Sequence, residues 1–340
     1  MIPYYNHMYA VDVPNSCRPR SSVINAVSID YPFKTDNSVI SILGSCNGIF
    51  LIGIFDKHIG PWNPYFKKSN NKLIYSYLYL WNPSTKQYKK LPTTLFEIPE
   101  DRRNRSCNIF FGLGYDLSTD DYKVVRILYD YFQCPIEEEG EFISRLTENS
   151  PFRWESEVHV YSMRRDTCKR IQDTPYLLMD LKLFEFIDHG IHANGVIHWF
   201  SSPSIVSFNV TSEKFNEVQT PDFNNAAYNF MSFGVLEGCL CVSVRFDDCH
   251  VEGFMMKEYG VKESWTKIFS VSLLGSNPCV RFKALCIAYL QTCPSNKYLV
   301  LYDPTKELRE MHLDLRGLPA MSPQDFQVEP YIRSLVSLKA

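Results

Sequence analysis

The sequence predicts an all-β chain folded as a propeller-like ring of about five to seven degenerate blades. Three observations carry the prediction. Aromatic and β-branched residues dominate short segments broken by Asn, Gly, Pro, Ser and Asp, and no long window shows a helical stripe. A polar turn flanked by strand-like runs recurs as YSMRRDTCKRI (161–171), FNVTSEKFNEV (208–218), MKEYGVKESWTKIF (256–269) and YDPTKELREM (302–311). With Ser162, Asn209, Lys257 and Asp303 as markers, the spacings are 47, 48 and 46 residues. Thirdly, a tight turn precedes several of these hairpins and opens an apolar strand. A period in the forties suits blades, because one four-stranded sheet cannot bury both of its faces and needs a sheet on either side.

From the N-terminus, residues 1–40 read as a linker or incomplete first blade, and 41–340 as the propeller domain. In SCNGIFLIG (45–53), Asn47-Gly48 supplies the positive φ angles of a two-residue hairpin turn. HANGVIHWF (192–200) and LEGCLCVSV (236–244) repeat the arrangement, with Gly195 and Gly238 43 residues apart. LIYSYLYLW (73–81) alternates, placing Tyr75, Tyr77, Tyr79 and Trp81 on one face and Leu78 and Leu80 on the other. Both faces are apolar, so this strand is expected between two layers. The NPST that follows (82–85) is a bend: Pro83 fixes a turn-corner φ, and Asn82, Ser84 and Thr85 cap it through side-chain hydrogen bonds. Pro83 also excludes Asn82 as a glycan acceptor. YDLSTDDYKVV (115–125) has the same pattern, and PYIRSLVSL (330–338) is expected to be a last strand that completes a blade begun near the N-terminus.

At 340 residues and 45% apolar composition, the chain can bury a large core. Its formal net charge of −3 gives no global bias toward nucleic acid or an anionic membrane. The longest apolar runs fall far short of the roughly 20 residues of a membrane span. MIPYYNHMYAVDVPNSC, at the start, has neither a basic n-region nor an apolar h-region. Eleven cysteines, an odd number, then fit a reducing compartment, cytoplasmic or nuclear, with thiols packed as small hydrophobes.

Phosphate-cradling motifs and a GxSxG elbow do not occur; FGLGYD (111–116) reads as a Gly-containing strand edge. In CLCVSVRFDDCH (239–250), Cys239 and Cys241 share a strand face, and Cys249 or His250 could return to them. C-x-C-x7-C-H matches structural zinc spacings poorly, so buried strand cysteines are expected, with no metal or cofactor. His192 and His198 are expected to face each other across the Asn194-Gly195 hairpin in a structural or hydrogen-bonding role. Trp62, Trp81, Trp154, Trp199 and Trp265 read first as blade cores. Charge is uneven: residues 116–157 hold eleven acids against four bases, and residues 57–105 hold ten Lys or Arg against three acids. Glu137, Glu138, Glu139 and Glu141 cluster in CPIEEEGEF. Such a loop is either a solvated connection or a docking site for a basic protein, and these four are the candidate partner-binding residues. No catalytic residue is assigned.

Several segments, in order, resemble the C-terminal F-box-associated domain of plant F-box proteins of the S-locus F-box and F-box/kelch-like type. They are GSCNGIFL (44–51), LYLWNPSTKQYKKLP (78–92), FGLGYDLSTDDYKVVRI (111–127), EVHVYSMRRDTCKRI (157–171), MKEYGVKESWTKIF (256–269), LVLYDPTKELREM (299–311) and YIRSLVSL (331–338). The resemblance implies a kelch-like β-propeller and a non-catalytic substrate receptor of an SCF-type ubiquitin ligase. In such proteins an N-terminal F-box grips the SKP adaptor and through it the cullin, while the associated domain captures the protein to be ubiquitinated. S-locus members capture the S-RNases of self-incompatibility, generally basic proteins that an acidic loop would suit; other members serve defence or hormone pathways. The leucine-rich F-box is not visible, since residues 1–40 contain no leucine, so SKP binding is not expected of these 340 residues. A decoy receptor that binds without delivering is therefore an alternative. A propeller enzyme using the central channel is another, although the repeat displays no convergent set of acids, histidines or metal ligands.

Overall fold

The computed structural model describes residues 2–4, 7–10, 22–34, 38–56, 76–95, 97–98, 106–133, 152–178, 189–201, 204–221, 230–245, 250–272, 280–283, 286–292, 297–302, 310–316, 331 and 333–338. Four short strands open the chain: β1 (Ile2–Tyr4), β2 (His7–Ala10), β3 (Ser22–Asn25) and β4 (Val27–Ile29). The first blade is β5 (Ser38–Cys46), β6 (Ile49–Asp56), β7 (Tyr77–Asn82) and β8 (Gln87–Lys90). The second is β9 (Ser106–Asp116), β10 (Asp121–Gln133), β11 (Phe152–Ser162) and β12 (Thr167–Arg170). The third is β13 (Ile191–Ala193), β14 (Val196–Ser201), β15 (Ser204–Asn209) and β16 (Lys214–Val218). The fourth is β17 (Phe230–Leu236), β18 (Cys239–Arg245), β19 (His250–Met256) and β20 (Trp265–Ser272). The fifth is β21 (Val280–Lys283), β22 (Cys286–Thr292), β23 (Lys297–Tyr302) and β24 (Glu310–Arg316).

Each blade is an antiparallel meander in chain order. The first strand of each lies beside the first strand of the next: β5 by β9, β9 by β13, β13 by β17 and β17 by β21. β1, β2 and β4 form a three-stranded sheet whose β1 lies against β5, while β3 runs parallel to β24 and adds to the fifth blade. The opening segment thus touches both the first and the last blade. The predicted all-β, propeller-like architecture is what the chain adopts. Ser162 and Asn209 end third strands and Lys257 follows one, which is why their spacing reports the blade repeat; Asp303 lies outside the described residues.

Two turn types set the repeat. Asn47-Gly48 (φ 50° and 78°), Asn194-Gly195 (51° and 78°) and Glu237-Gly238 (53° and 78°) close first hairpins on the pairs Cys46–Ile49, Ala193–Val196 and Leu236–Cys239. In the other type, a polar side chain at the strand end caps the backbone two or three residues on. Asn82 Oδ1 accepts from Ser84 N at 2.9 Å, Asp116 Oδ1 from Ser118 N at 3.0 Å, Ser162 Oγ from Arg165 N at 3.1 Å, and Asn209 Oδ1 from Ser212 N at 2.8 Å. Lys86, Asp120, Asp166 and Glu213, each four positions after its capping residue, take φ of 57°, 52°, 52° and 54°, a left-handed conformation uncommon outside glycine. The 116–121 turn differs from the others in place: it joins the first and second strands of its blade, whereas the NPST-like turns join the third and fourth.

Packing follows from strands that are apolar on both faces. Leu78 and Leu80 of β7 meet Leu91, Phe111, Leu113 and Tyr161 toward the second blade, while Trp81 meets Met8, Tyr31, Phe33 and Phe50 toward the three-stranded sheet. β7 lies between two layers, as its alternation predicts. Trp199 is buried between the second and third blades, with its Nε1 donating to Phe111 O at 3.0 Å. Glycine makes that approach feasible. A Cβ on Gly112 would stand 2.6 Å from Ile197 Cγ2 and 2.7 Å from Trp199 Cζ2. FGLGYD is therefore the inner strand against which the third blade closes. Trp265 packs beside the core shared by the third and fourth blades, and Trp62 lies outside the described residues.

Residues 333–338 overturn one expectation, since they are not a strand. They cross the β7–β8 turn, whose side chains take the place of a strand ladder. Asn82 Nδ2 donates to Ser334 O at 3.1 Å and Val336 O at 2.8 Å, and Gln87 Oε1 accepts from Leu338 N at 2.8 Å. Ser84 Oγ accepts from Ser334 N at 3.1 Å and also meets the Tyr331 hydroxyl. The strand that extends the last blade is β3 instead.

Two outcomes are expected. Gly112→Ala should overpack the Trp199 seam and cost ~1–3 kcal/mol by denaturant unfolding, since the core has no room for a methyl. Asn82→Asp keeps the oxygen that caps its own turn but sets a carboxylate against two carbonyls. Amides in 334–338 should then exchange faster with solvent than in the unaltered chain, and equal exchange would show that Nδ2 does not hold them.

Candidate functional site

In a meander, the first-to-second and third-to-fourth connections share one end of the sheet, and the remaining connections share the other. The tight turns occupy the first end and bond to one another across blades. Asn194 Nδ2 donates to Gly238 O at 3.0 Å, Thr211 Oγ1 to Asp116 Oδ1 at 2.8 Å, and Lys89 Nζ to Met163 O at 3.3 Å. From the other end leave the connections from Asp56 to Ser76, Gln133 to Phe152, Leu178 to His189 and Pro221 to Phe230. β10 and β11 stay paired out to Gln133–Phe152, so the connection between them springs from this end of the second blade. Glu137, Glu138, Glu139 and Glu141 belong to that connection and lie outside the described residues.

Ion pairs, buried at Asp116 and Lys123 and reaching solvent at Lys169, bind the turn end. Lys123 Nζ sits 2.9 Å from Asp116 Oδ2 and 3.2 Å from Glu213 Oε1, and Lys169 Nζ sits 2.7 Å from Glu213 Oε2, joining the second and third blades. Burial alone would raise the Asp116 pKa, but hydrogen bonds from Ser118, Lys123, Thr211 and Thr119 outweigh it and hold the carboxyl well below the usual carboxylate range. Burial opposes the charge on Lys123 too, and bonding to Asp116 and Glu213 wins, raising its pKa. These charges compensate one another inside the seam, which reads as structural.

Beside these turns, Cys46 Sγ lies 3.3 Å from His192 Nδ1 across the inner strands. Burial pushes the Cys46 thiol up to about 12 and His192 down to about 4, leaving a thiol and a neutral imidazole at neutral pH. A nucleophilic cysteine needs the reverse, a thiolate beside an imidazolium. His192 and His198 do not face each other: His192 pairs with Ile197 and His198 with Ile191, so their side chains alternate to opposite faces of the hairpin. His198 Nδ1 must donate to Ile191 O, at 3.1 Å, so Nε2 accepts from the Tyr259 hydroxyl at 2.8 Å, tying the third blade to the fourth. Cys241 is buried opposite Met255, while His250 stands at the far end of its strand opposite Ser272; Cys249 lies outside the described residues. Among the described residues, no three His, Cys, Asp or Glu side chains gather as metal ligands.

Sequence reading missed one surface, although the tyrosine face of LIYSYLYLW signals it. Phe33 stacks on Tyr79 with centroids 4.4 Å apart and planes at 7°, Tyr88 packs edge-on at 6.0 Å from Tyr79, and Lys90 Nζ lies 4.1 Å from the Tyr77 centroid.

This arrangement of blades coincides with a known family. A family model described as "F-box associated beta propeller domain" matches residues 7–267. The chain belongs to that family. Among plant relatives of this F-box-associated propeller, F-box protein CPR1 of Arabidopsis thaliana is 32% identical over 281 residues, covering 78% of this chain and 58% of CPR1. F-box protein At4g22390, also of Arabidopsis thaliana, is 28% identical over 71% of this chain and 58% of its own length. For the Arabidopsis thaliana F-box/kelch-repeat protein At3g23880 the figures are 28%, 57% and 47%. The chain thus spans little more than half the length of the first two relatives. A solved prolyl endopeptidase chain resembles the propeller loosely, with a TM-score of 0.40 and 11% identity over 81% of this chain and 36% of that one, too distant to carry an argument.

The buried histidine gives the propeller a testable acid sensitivity. Burial lowers the His198 pKa from 6.5 to about 4, so between these values the unfolded chain binds a proton that the folded chain refuses. Stability from this group is complete above pH 6.5 and is lost as pH falls toward 4. His192, lowered to about 4 in the same way, adds to the slope. His198→Gln, which can still accept from Tyr259, should reduce the pH dependence of unfolding by up to about one proton per molecule. Calorimetric melting profiles from pH 7 to 4.5 check this; superimposable slopes would mean that His198 does not titrate on unfolding.

Proposed function

We propose that this propeller is the target-binding part of an F-box protein: a non-catalytic receptor, working in the cytoplasm or nucleus, that hands a captured protein to an SCF-type ubiquitin ligase. The family match over residues 7–267 carries the reading, and relatives named as F-box proteins support it. An SKP adaptor and a cullin join only where an F-box is attached, so the propeller contributes capture and not the ligase grip. Capture belongs to the end that bears the long connections, because binding residues concentrate on loops positioned by a rigid scaffold. Turn-to-turn bonds occupy the opposite end.

Glu137, Glu138, Glu139 and Glu141 give the β10–β11 connection an acidic locus suited to a basic protein. An S-RNase is the basic target that the S-locus resemblance names; a protein of a defence or hormone pathway is the alternative. Replacing all four glutamates by Gln should slow association with a basic target roughly tenfold at low ionic strength and flatten its salt dependence, as read by surface plasmon resonance. Equal association rates would remove the acidic connection from the reading. Affinity purification of the tagged chain from plant extract identifies the target. Failure of an F-box fusion of this chain to promote ubiquitination of that target would overturn the receptor assignment.

A further inference from the structure

Among the described residues, the three-stranded sheet is one strand short of each of the first four blades. Its partner, the first blade, shows the consequence on the face that meets it. Near the ring centre, Phe50, Ile52, Ile54 and Trp81 are covered by Met8, Tyr31 and Phe33. Farther out, on β8, Phe33 reaches only the edge of Tyr88, which stays 48% exposed, and Lys90 is exposed on the same face; Tyr77, at the start of β7, is 41% exposed. β4 forms the outer side of the short sheet. Among the described residues it pairs only with β2, and its Val27, on the face turned toward the first blade, is 62% exposed.

We propose that this vacancy is a docking groove for an extended segment of a partner protein that pairs with the open edge of β4 and lays alternate side chains over Tyr77 and Tyr88. An unpaired edge offers backbone donors and acceptors, while side chains of alternating direction supply specificity. Charge selects the occupant. Lys90 sits among the tyrosines and Lys34 follows Phe33 at the edge of the patch, both exposed. The preferred segment alternates apolar and acidic residues, with a carboxylate meeting Lys90 and apolar groups meeting the rings. The inference rests on the reading of this propeller as a protein-binding receptor, and it adds a second surface, on the blade wall, to the loop-bearing end.

The probe is a fluorescein-labelled peptide of about eight residues alternating Val and Glu, a typical strand length, with fluorescence anisotropy as the readout. Saturable binding to the full chain is expected. Tyr88→Ser and Lys90→Glu, each first shown to melt at the unaltered temperature, should each weaken it roughly tenfold, the loss of one well-placed contact. A matched peptide with alternate Glu changed to Lys, and another with central prolines that cannot pair with an edge, should not bind. The variant with Glu137, Glu138, Glu139 and Glu141 changed to Gln should bind the probe as the unaltered chain does, so this test and the acidic-connection test fail independently. Absence of saturable binding, or equal affinity for the Lys-containing peptide, overturns the proposal. So does concentration-dependent dimerisation in sedimentation that Tyr88→Ser abolishes, since the occupant would then be a second copy of the chain.

Discussion

The first three blades carry apolar side chains on both faces, and this constraint organises the rest of the molecule. An ordinary half-exposed antiparallel sheet alternates apolar and polar residues, whereas β7 sends leucines one way and tyrosine and tryptophan the other. Such a sheet is stable only between two others, and successive sheets doing the same produce a ring. The glycines of β9 follow from the same demand. Trp199 can cover the second blade only where the facing strand lacks a Cβ, so Gly112 stands where the indole lies, and its bridge partner Gly190, beside β13, leaves the same room within the third blade. Large side chains on one blade and small ones on the next are two halves of one contact.

The two ends of the ring meet different requirements. At the turn end, each of the first three blades reverses twice in few residues, and backbone amides that leave the ladder must find partners. Side-chain caps from Asn82, Asp116, Ser162 and Asn209 satisfy them locally, and bonds from Lys89, Asn194 and Thr211 then join neighbouring turns. This cross-linking spends the polar groups on the scaffold itself. The opposite end carries the longer connections of the first and second blades. The same division explains why the polar, repeated motifs of the sequence turned out to be structural.

Much of this is legible in the sequence. Positive φ at Asn47-Gly48 and Asn194-Gly195 follows from residue type, and the two-layer burial of β7 follows from its alternation. What escaped depends on long-range pairing. The SLVSL of 334–338 has the composition of a strand, but composition does not reveal that side chains of a distant turn will take its backbone bonds. Likewise, His192 and His198 flank one turn, yet an even separation across a two-residue hairpin puts them on opposite faces. The left-handed Lys86, Asp120, Asp166 and Glu213 were not readable either, because those residue types do not announce such a conformation. The tyrosines of the first blade were visible as a face, while their exposure depends on a neighbouring sheet that has three strands among the described residues.

The bond between Asn82 and the segment 334–338 also orders events in time. Its acceptors lie 252 and 254 residues beyond Asn82, so the turn is synthesised long before its partners exist. At roughly 5–20 residues per second, the first blade waits on the order of 10–50 s on the ribosome for them. Throughout that interval the Asn82 amide and the pocket that receives Leu338 stay open to solvent and to chaperones. The first blade is thus made before the other four and receives contacts from residues made after them.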